Sequence, residues 1–339
     1  MLTQKGNLKP FLLYKITFFL FFLFFTIGFT SNSWPIFFQM LPIYLSLIFL
    51  GLSHGAADHL CMWGLLSNKT IKAKIGLIIL YFLVAILYLF FWLKDPISSI
   101  ILFFMLTIFH WGKADLYTAC FLNNAEYLKH NKWMRFSYVC FRGSAPILLP
   151  IALNQKVYLD FLNSLTFRKS EIFNFEQYIH FNLIFIPIAF FLFSIIIFLF
   201  FKKDKIRNYN IFLWDFFESI LLILWFLYVP VLWAIGIYFI FWHSLRHALR
   251  ILSSDIQGVK YLVNFSFKKL SIRWIEITGL INLIALIGMY IIFNTQIFNI
   301  NDDYNVFSNI MIGISIVTLP HVILVEITDI KLNRKHLID

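Results

Sequence analysis

Residues 211–249, IFLWDFFESILLILWFLYVPVLWAIGIYFIFWHSLRHAL, decide how the chain folds. The run is almost continuous hydrocarbon. It is far too long for one bilayer crossing and just long enough for two of about 20 residues each. Pro230 stands near its middle, where the missing N–H and fixed φ stop a helix. The stretch therefore predicts two back-to-back membrane helices, 211–228 and 230–249. It also carries Asp215, Glu218, His243 and His247, and ionisable side chains at membrane depth are expensive enough to be functional by default.

Read outward from there, the same criterion finds eight further spans: 11–30, 35–53, 74–93, 97–116, 134–153, 181–201, 272–293 and 306–328. The first follows Lys5 and Lys9 as a signal sequence would. It lacks a small-residue cleavage site and exceeds a signal core in length, so it reads as a span. The expected architecture is all-α: one polytopic integral membrane helix bundle of about ten transmembrane helices, forming a single transmembrane domain over 1–339. Segment 154–180 is the one long external connection, partly helical on the membrane surface. Composition agrees. Of 339 residues, 60% are hydrophobic, 43 are Phe and only 13% are charged, against about 25% in soluble domains. This excludes a soluble enzyme, a disordered chain and an ordinary nucleic-acid-binding domain. Cys61, Cys120 and Cys140 have no paired spacing and read as small buried hydrophobes.

The net charge of +11 has a topological origin. Of the 28 basic residues, every second connection and the two termini hold all but Lys94, Arg142, Lys156, Arg168 and Lys169. Such alternation places both termini in the cytoplasm of a multi-pass protein of the cell (inner) membrane. The lipid bilayer is then the partner that the composition implies, and no nucleic acid is expected.

Six of the nine histidines lie in or beside spans: His54, His59, His110, His243, His247 and His321. With the N-terminus inside, all six collect near the cytoplasmic side. His130, His180 and His336 read as solvated. His243 and His247 are four residues apart, so on a helix both rings leave one face, about 6 Å apart along the axis, and can share a metal. His54 and His59 diverge by about 140° on a regular helix. Asp58 shares the face of His54, where it could orient a ligand or accept a proton. His110 is followed by Gly112, which permits close helix approach. An all-nitrogen site of this kind suits Fe, Zn or Cu; a proton relay or haem ligation is the competing reading. Arg142 lies inside span five, where it either joins the site or pairs structurally. Glu218 is the deepest inner-half acid and the preferred carboxylate partner. Phe109, Trp111, Phe241 and Trp242 flank the histidines and would line a channel for a long apolar substrate.

HGAADH at 54–59, FHWGKAD at 109–115, RGSAP at 142–146, WHSLRH at 242–247 and PH at 320–321, in that order, resemble the Brp/Blh family of membrane-bound beta-carotene 15,15'-dioxygenases. That resemblance implies an oxidoreductase using Fe(2+) and O2 to cleave the central double bond of beta-carotene into two all-trans-retinal molecules. Carried over by position, the iron ligands are His54, His110, His243 and His247. His59 and His321 match further family positions, and Ala57 stands where Leu is common. A rhodopsin is the expected consumer of the retinal. Two other classes compete. A membrane iron desaturase or hydroxylase would carry three histidine boxes, whereas this chain has one HxxxH and no HxxHH. A transporter or opsin-assembly protein with a structural metal would show paired broken helices, and only Gly143 with Pro146 hints at one.

Overall fold

The computed structural model describes residues 10–28, 30, 33–66, 70–122, 125–129, 132–153, 158–159, 162–163, 165–166, 209–294 and 305–336. The expected span 181–201, most of the connection 154–180, His130 and His180 lie outside them. Among the described residues every extended element is helical.

Six helices are long and apolar enough to cross a membrane: Ile71–Lys94, Pro96–Cys120, Lys132–Leu153, Ile211–Tyr228, Phe267–Ile291 and Ser308–Lys331. They fall on the expected spans 74–93, 97–116, 134–153, 211–228, 272–293 and 306–328. Shorter apolar helices, Phe19–Gly28 and Phe37–Gly51, fall on the first two. The protein is therefore a helical membrane protein. Its outer helices show why: Leu80, Leu87, Phe90, Leu280 and Leu283 are exposed, which only a hydrocarbon solvent would accept on this scale.

Pro230 breaks the long apolar run as its chemistry requires. It takes extended ψ and its carbonyl accepts the first bond of the next helix, from Ala234 N–H at 2.8 Å. The Trp225 indole donates to the Ala234 carbonyl across the break at 3.1 Å. Beyond the proline the expected span 230–249 is helical but not regular: it consists of Val231–Ile237, a π-helical turn Tyr238–Ser244, and the helix Leu245–Leu252. A second departure lies at 35–53, where Ile36–Ser46 runs into a π-helical turn Leu47–Gly51 and then Leu52–Ala56. Ala57 then interrupts the helix before Asp58–Leu65.

The described residues form two compact units. One takes in those of Met1–Gly51, Thr107–Asp160 and Asn174–Arg273. Its core is aromatic, with Phe21, Trp225, Phe226, Tyr238 and Trp242 packed on Phe141 and Leu149. The other takes in those of Leu52–Leu106, Phe161–Phe173 and Trp274–Asp339. There Asp95 caps the helix Pro96–Tyr117 by accepting from Ser98 N–H at 3.1 Å, with Pro96 at the first helical position. Lys331 donates to the Leu65 carbonyl at 2.6 Å, closing the end of Asp58–Leu65.

In the first unit Asp255 caps Ile256–Val263 through Gly258 N–H (2.9 Å) and receives Arg273 Nε and Nη2 (2.8 and 2.9 Å). The Arg273 contacts, ahead of the Gly258 N–H, hold its carboxyl below the usual carboxylate range. The folded form therefore binds its proton less tightly than the unfolded one. The clasp contributes fully above the ordinary carboxylate pKa and is lost as pH falls through the folded value. Asp255→Asn is expected to cost about 1 kcal/mol near neutral pH, allowing for solvent screening of this part-exposed pair. Thermal unfolding in detergent across a pH series should show that difference vanish in acid.

Candidate functional site

Two glycines set the geometry of the first unit. A Cβ on Gly112 would collide with the Val139 backbone, and one on Gly143 with the Ile108 carbonyl. The helices Pro96–Tyr117 and Lys132–Leu153 thus cross in backbone contact, as small residues permit in membranes. The crossing carries His110 and Asp115 on one helix and Arg142 on the other.

His110, His243 and His247 are each at least 95% buried. Ring centroids lie 5.1 Å apart for His110–His243, 6.1 Å for His110–His247 and 6.3 Å for His243–His247. Nitrogens about 2.1 Å from a shared ion place ring centroids roughly 5 Å apart, so the triad is on the scale of a metal centre. Three imidazoles without a thiolate suit a metal of borderline softness. Among the described residues no three His, Cys, Asp or Glu side chains close tightly enough to hold a metal ion as they stand. Trp111 and Phe239 pack on the His243 ring at 5.5 and 5.8 Å, the latter nearly parallel to it.

Beside the triad lies a closed ring of charge. Arg142 Nε donates to Asp115 Oδ2 at 2.8 Å and its Nη2 to Glu218 Oε2 at 2.7 Å. Arg246 Nη1 and Nη2 reach Asp115 Oδ1 and Glu218 Oε1 at 3.3 and 3.2 Å. All four side chains are buried. Trp242 donates its indole N–H to Asp115 Oδ2 at 3.1 Å, and the Arg246 guanidinium lies 3.9 Å over its ring. Tyr127 donates to Asp215 nearby.

In the second unit Asp58 accepts from His321 Nδ1 at 2.8 Å and from the Tyr81 hydroxyl at 2.9 Å. A carboxylate on Nδ1 fixes the tautomer that leaves Nε2 as the unprotonated nitrogen. His59 donates Nδ1–H to the Ala56 carbonyl at 2.9 Å and packs on Trp63. His54 lies in the short helix Leu52–Ala56; its side chain is outside the described atoms. Asp58, expected beside His54, has His321 as its imidazole partner.

Several expected roles shift. Glu218 meets two arginines, and Arg142 is fully paired inside the protein. Of the four flanking aromatics, Trp111 touches a histidine ring. Trp242 belongs to the charge ring, Phe241 stacks on Phe24 at 4.9 Å, and Phe109 is exposed beneath Lys113. Helix neighbours point about 100° apart, so the residue beside a site histidine usually faces elsewhere. Asp115, Arg246 and Tyr81 were not singled out by spacing. Asp115 and Arg246 stand inside FHWGKAD and WHSLRH, and the signal for them was a pair of unexplained charges beside unexplained histidines.

Fold and site together define a helical membrane protein with a buried imidazole cluster braced by paired charges. Residues 45–329 match the family described as beta-carotene 15,15'-dioxygenase, and the chain belongs to that family. A Halobacterium salinarum protein named "Probable beta-carotene 15,15'-dioxygenase Blh" is 25% identical over 221 residues, covering 63% of this chain. The match spans 62% of that relative, less than two thirds of its length. A protein of uncultured marine bacterium 66A03, named beta-carotene 15,15'-dioxygenase, is 28% identical over 281 residues, covering 82% of this chain and 90% of that one. No solved structure matches the chain.

Gly112→Ala and Gly143→Ala should each destabilise the fold by about 1–3 kcal/mol or more, because backbone cannot move aside as a side chain can. Gly76 and Gly288 have nothing within 4 Å of an added Cβ. Alanine there should leave thermal unfolding unchanged or slightly improved, which makes these two the controls.

Proposed function

We propose that the protein cleaves beta-carotene at its central 15,15' double bond with O2, giving two molecules of all-trans-retinal. The observation that carries this is the buried triad His110, His243 and His247 in a chain of the beta-carotene 15,15'-dioxygenase family. Fe(2+) held by these three would supply the binding and activation of O2; His54 is a further candidate ligand on its sequence motif alone. In the other unit, His321 has Nδ1 committed to Asp58 and His59 has Nδ1–H on the Ala56 carbonyl, so Nε2 is the nitrogen each would offer to a metal.

The chain's own residues supply orientation and dryness. Trp111 and Phe239 cover the His243 ring with apolar surface, a wall suited to a rigid polyene. The substrate dissolves in hydrocarbon, so a site among membrane helices spares its extraction into water. The proposed topology has ten crossings in the cell inner membrane with both termini in the cytoplasm, and a rhodopsin is the natural recipient of the retinal. A fluorescent protein fused after Asp339 should be bright if that end is cytoplasmic, and a dark but inserted fusion would reverse the orientation.

The decisive assay is expression in cells that make beta-carotene. Orange colour should fade and retinal appear. His54→Ala, His110→Ala, His243→Ala and His247→Ala should each lower retinal formation by more than the about 10–100-fold known for partners of metal ligands, with membrane insertion intact. Full activity in any one removes that residue from the ligand set. Absence of retinal from the inserted parent protein would favour another oxidase or a non-enzymatic role.

A further inference from the structure

The geometry points to the ring Asp115–Arg142–Glu218–Arg246 as the device that positions the histidine triad, with Asp115 and Arg246 as positioning residues. This rests on the reading of the triad as a metal site.

The first ground is connectivity. Each carboxylate meets both arginines and each arginine meets both carboxylates, so the ring closes on itself. Its members come from four helical segments: Pro96–Tyr117, Lys132–Leu153, Tyr209–Tyr228 and Leu245–Leu252. Two of those segments carry site histidines. Arg246 stands between His243 and His247, and Asp115 follows His110 by little more than one helical turn. A guanidinium fork held by two carboxylates has little rotational freedom, unlike a single ion pair.

The second ground is the Trp242 indole, fully buried and adjacent to His243. It is held by Asp115 at its N–H and by Arg246 on its face. The π-helical turn Tyr238–Ser244 that carries His243 is thereby fixed at one end by the ring. A buried ion pair seldom stabilises a protein more than well-packed apolar residues of the same size. Four buried charges, two of them on the segments that carry His110 and His247, are better explained by the geometry they impose. Opposite charges in equal number also leave the adjoining imidazoles beside no net charge.

The test uses the full chain in detergent and Co(II) as the metal probe, with beta-carotene turnover read separately. In the parent, a Co(II) visible spectrum abolished by His243→Ala is expected. The double variant Asp115→Asn/Arg246→Met removes one charge of each sign and leaves the Arg142–Glu218 pair. It should unfold at nearly the parent temperature yet bind Co(II) at least tenfold more weakly with altered bands. Its kcat should fall at least tenfold, with KM within about twofold. Arg246→Lys keeps the charge but loses the fork, and should show the same direction of change. It decides the matter if the double variant does not fold. Parent-like cobalt affinity and bands in either folded variant would overturn the proposal, as would a parent without a histidine-dependent cobalt spectrum. Intact cobalt behaviour without retinal would instead count against the cleavage reading alone.

Discussion

Hydrocarbon provides neither counter-charge nor hydrogen-bond partner, so every ionised group carried into a bilayer must be met from within the protein. In the first unit that demand is satisfied by four groups meeting one another: Asp115, Arg142, Glu218 and Arg246. The solution requires helices that approach closely. Gly112 and Gly143 allow it, since neither leaves room for a methyl group at the crossing. His110 rides on one of those helices two residues before Gly112. The same backbone contact that brings Asp115 to Arg142 therefore fixes the helix on which His110 stands.

The second unit meets the demand differently. Its one buried carboxylate near the helix break, Asp58, is satisfied by two side-chain donors, His321 and Tyr81. Other polar groups are answered locally or by single partners: the Tyr88 hydroxyl by the Ser99 carbonyl, the Trp274 indole by Ser53. Its helices Ile71–Lys94 and Phe267–Ile291 bury only 17% of their apolar windows, against 56% for Lys132–Leu153 in the first unit.

Much of this was legible in the sequence, and the boundary has physical causes. Span positions follow from hydropathy, which acts locally and at full strength in a membrane. Pro230 marked its break because the lesion is covalent. The histidines were conspicuous because their cost is high wherever they sit. What escaped was phase and partnership. Spacing offers Asp58 to its neighbour His54, but its hydrogen-bond partner is a residue 263 positions away, which no local pattern encodes. Glu218 was read as a carboxylate for imidazole, yet two guanidinium groups claim it, and nothing local encodes that choice. Phe109 and Trp111 are near neighbours in sequence, but one meets solvent lipid and the other a histidine ring.

The π-helical turn at Tyr238–Ser244 stores one more residue than an α-helical turn would hold. Its effect is angular: it sets the rotational phase between the helix Val231–Ile237 before it and His247 after it. That phase is written in a residue count as well as in the Trp242 anchor. Loss of a single residue from this turn would remove the extra residue and shift the register of the segment that carries His243. Every substitution-tolerant position in the turn is, for this reason, still intolerant of deletion. Length here is as much a part of the site as the imidazoles themselves.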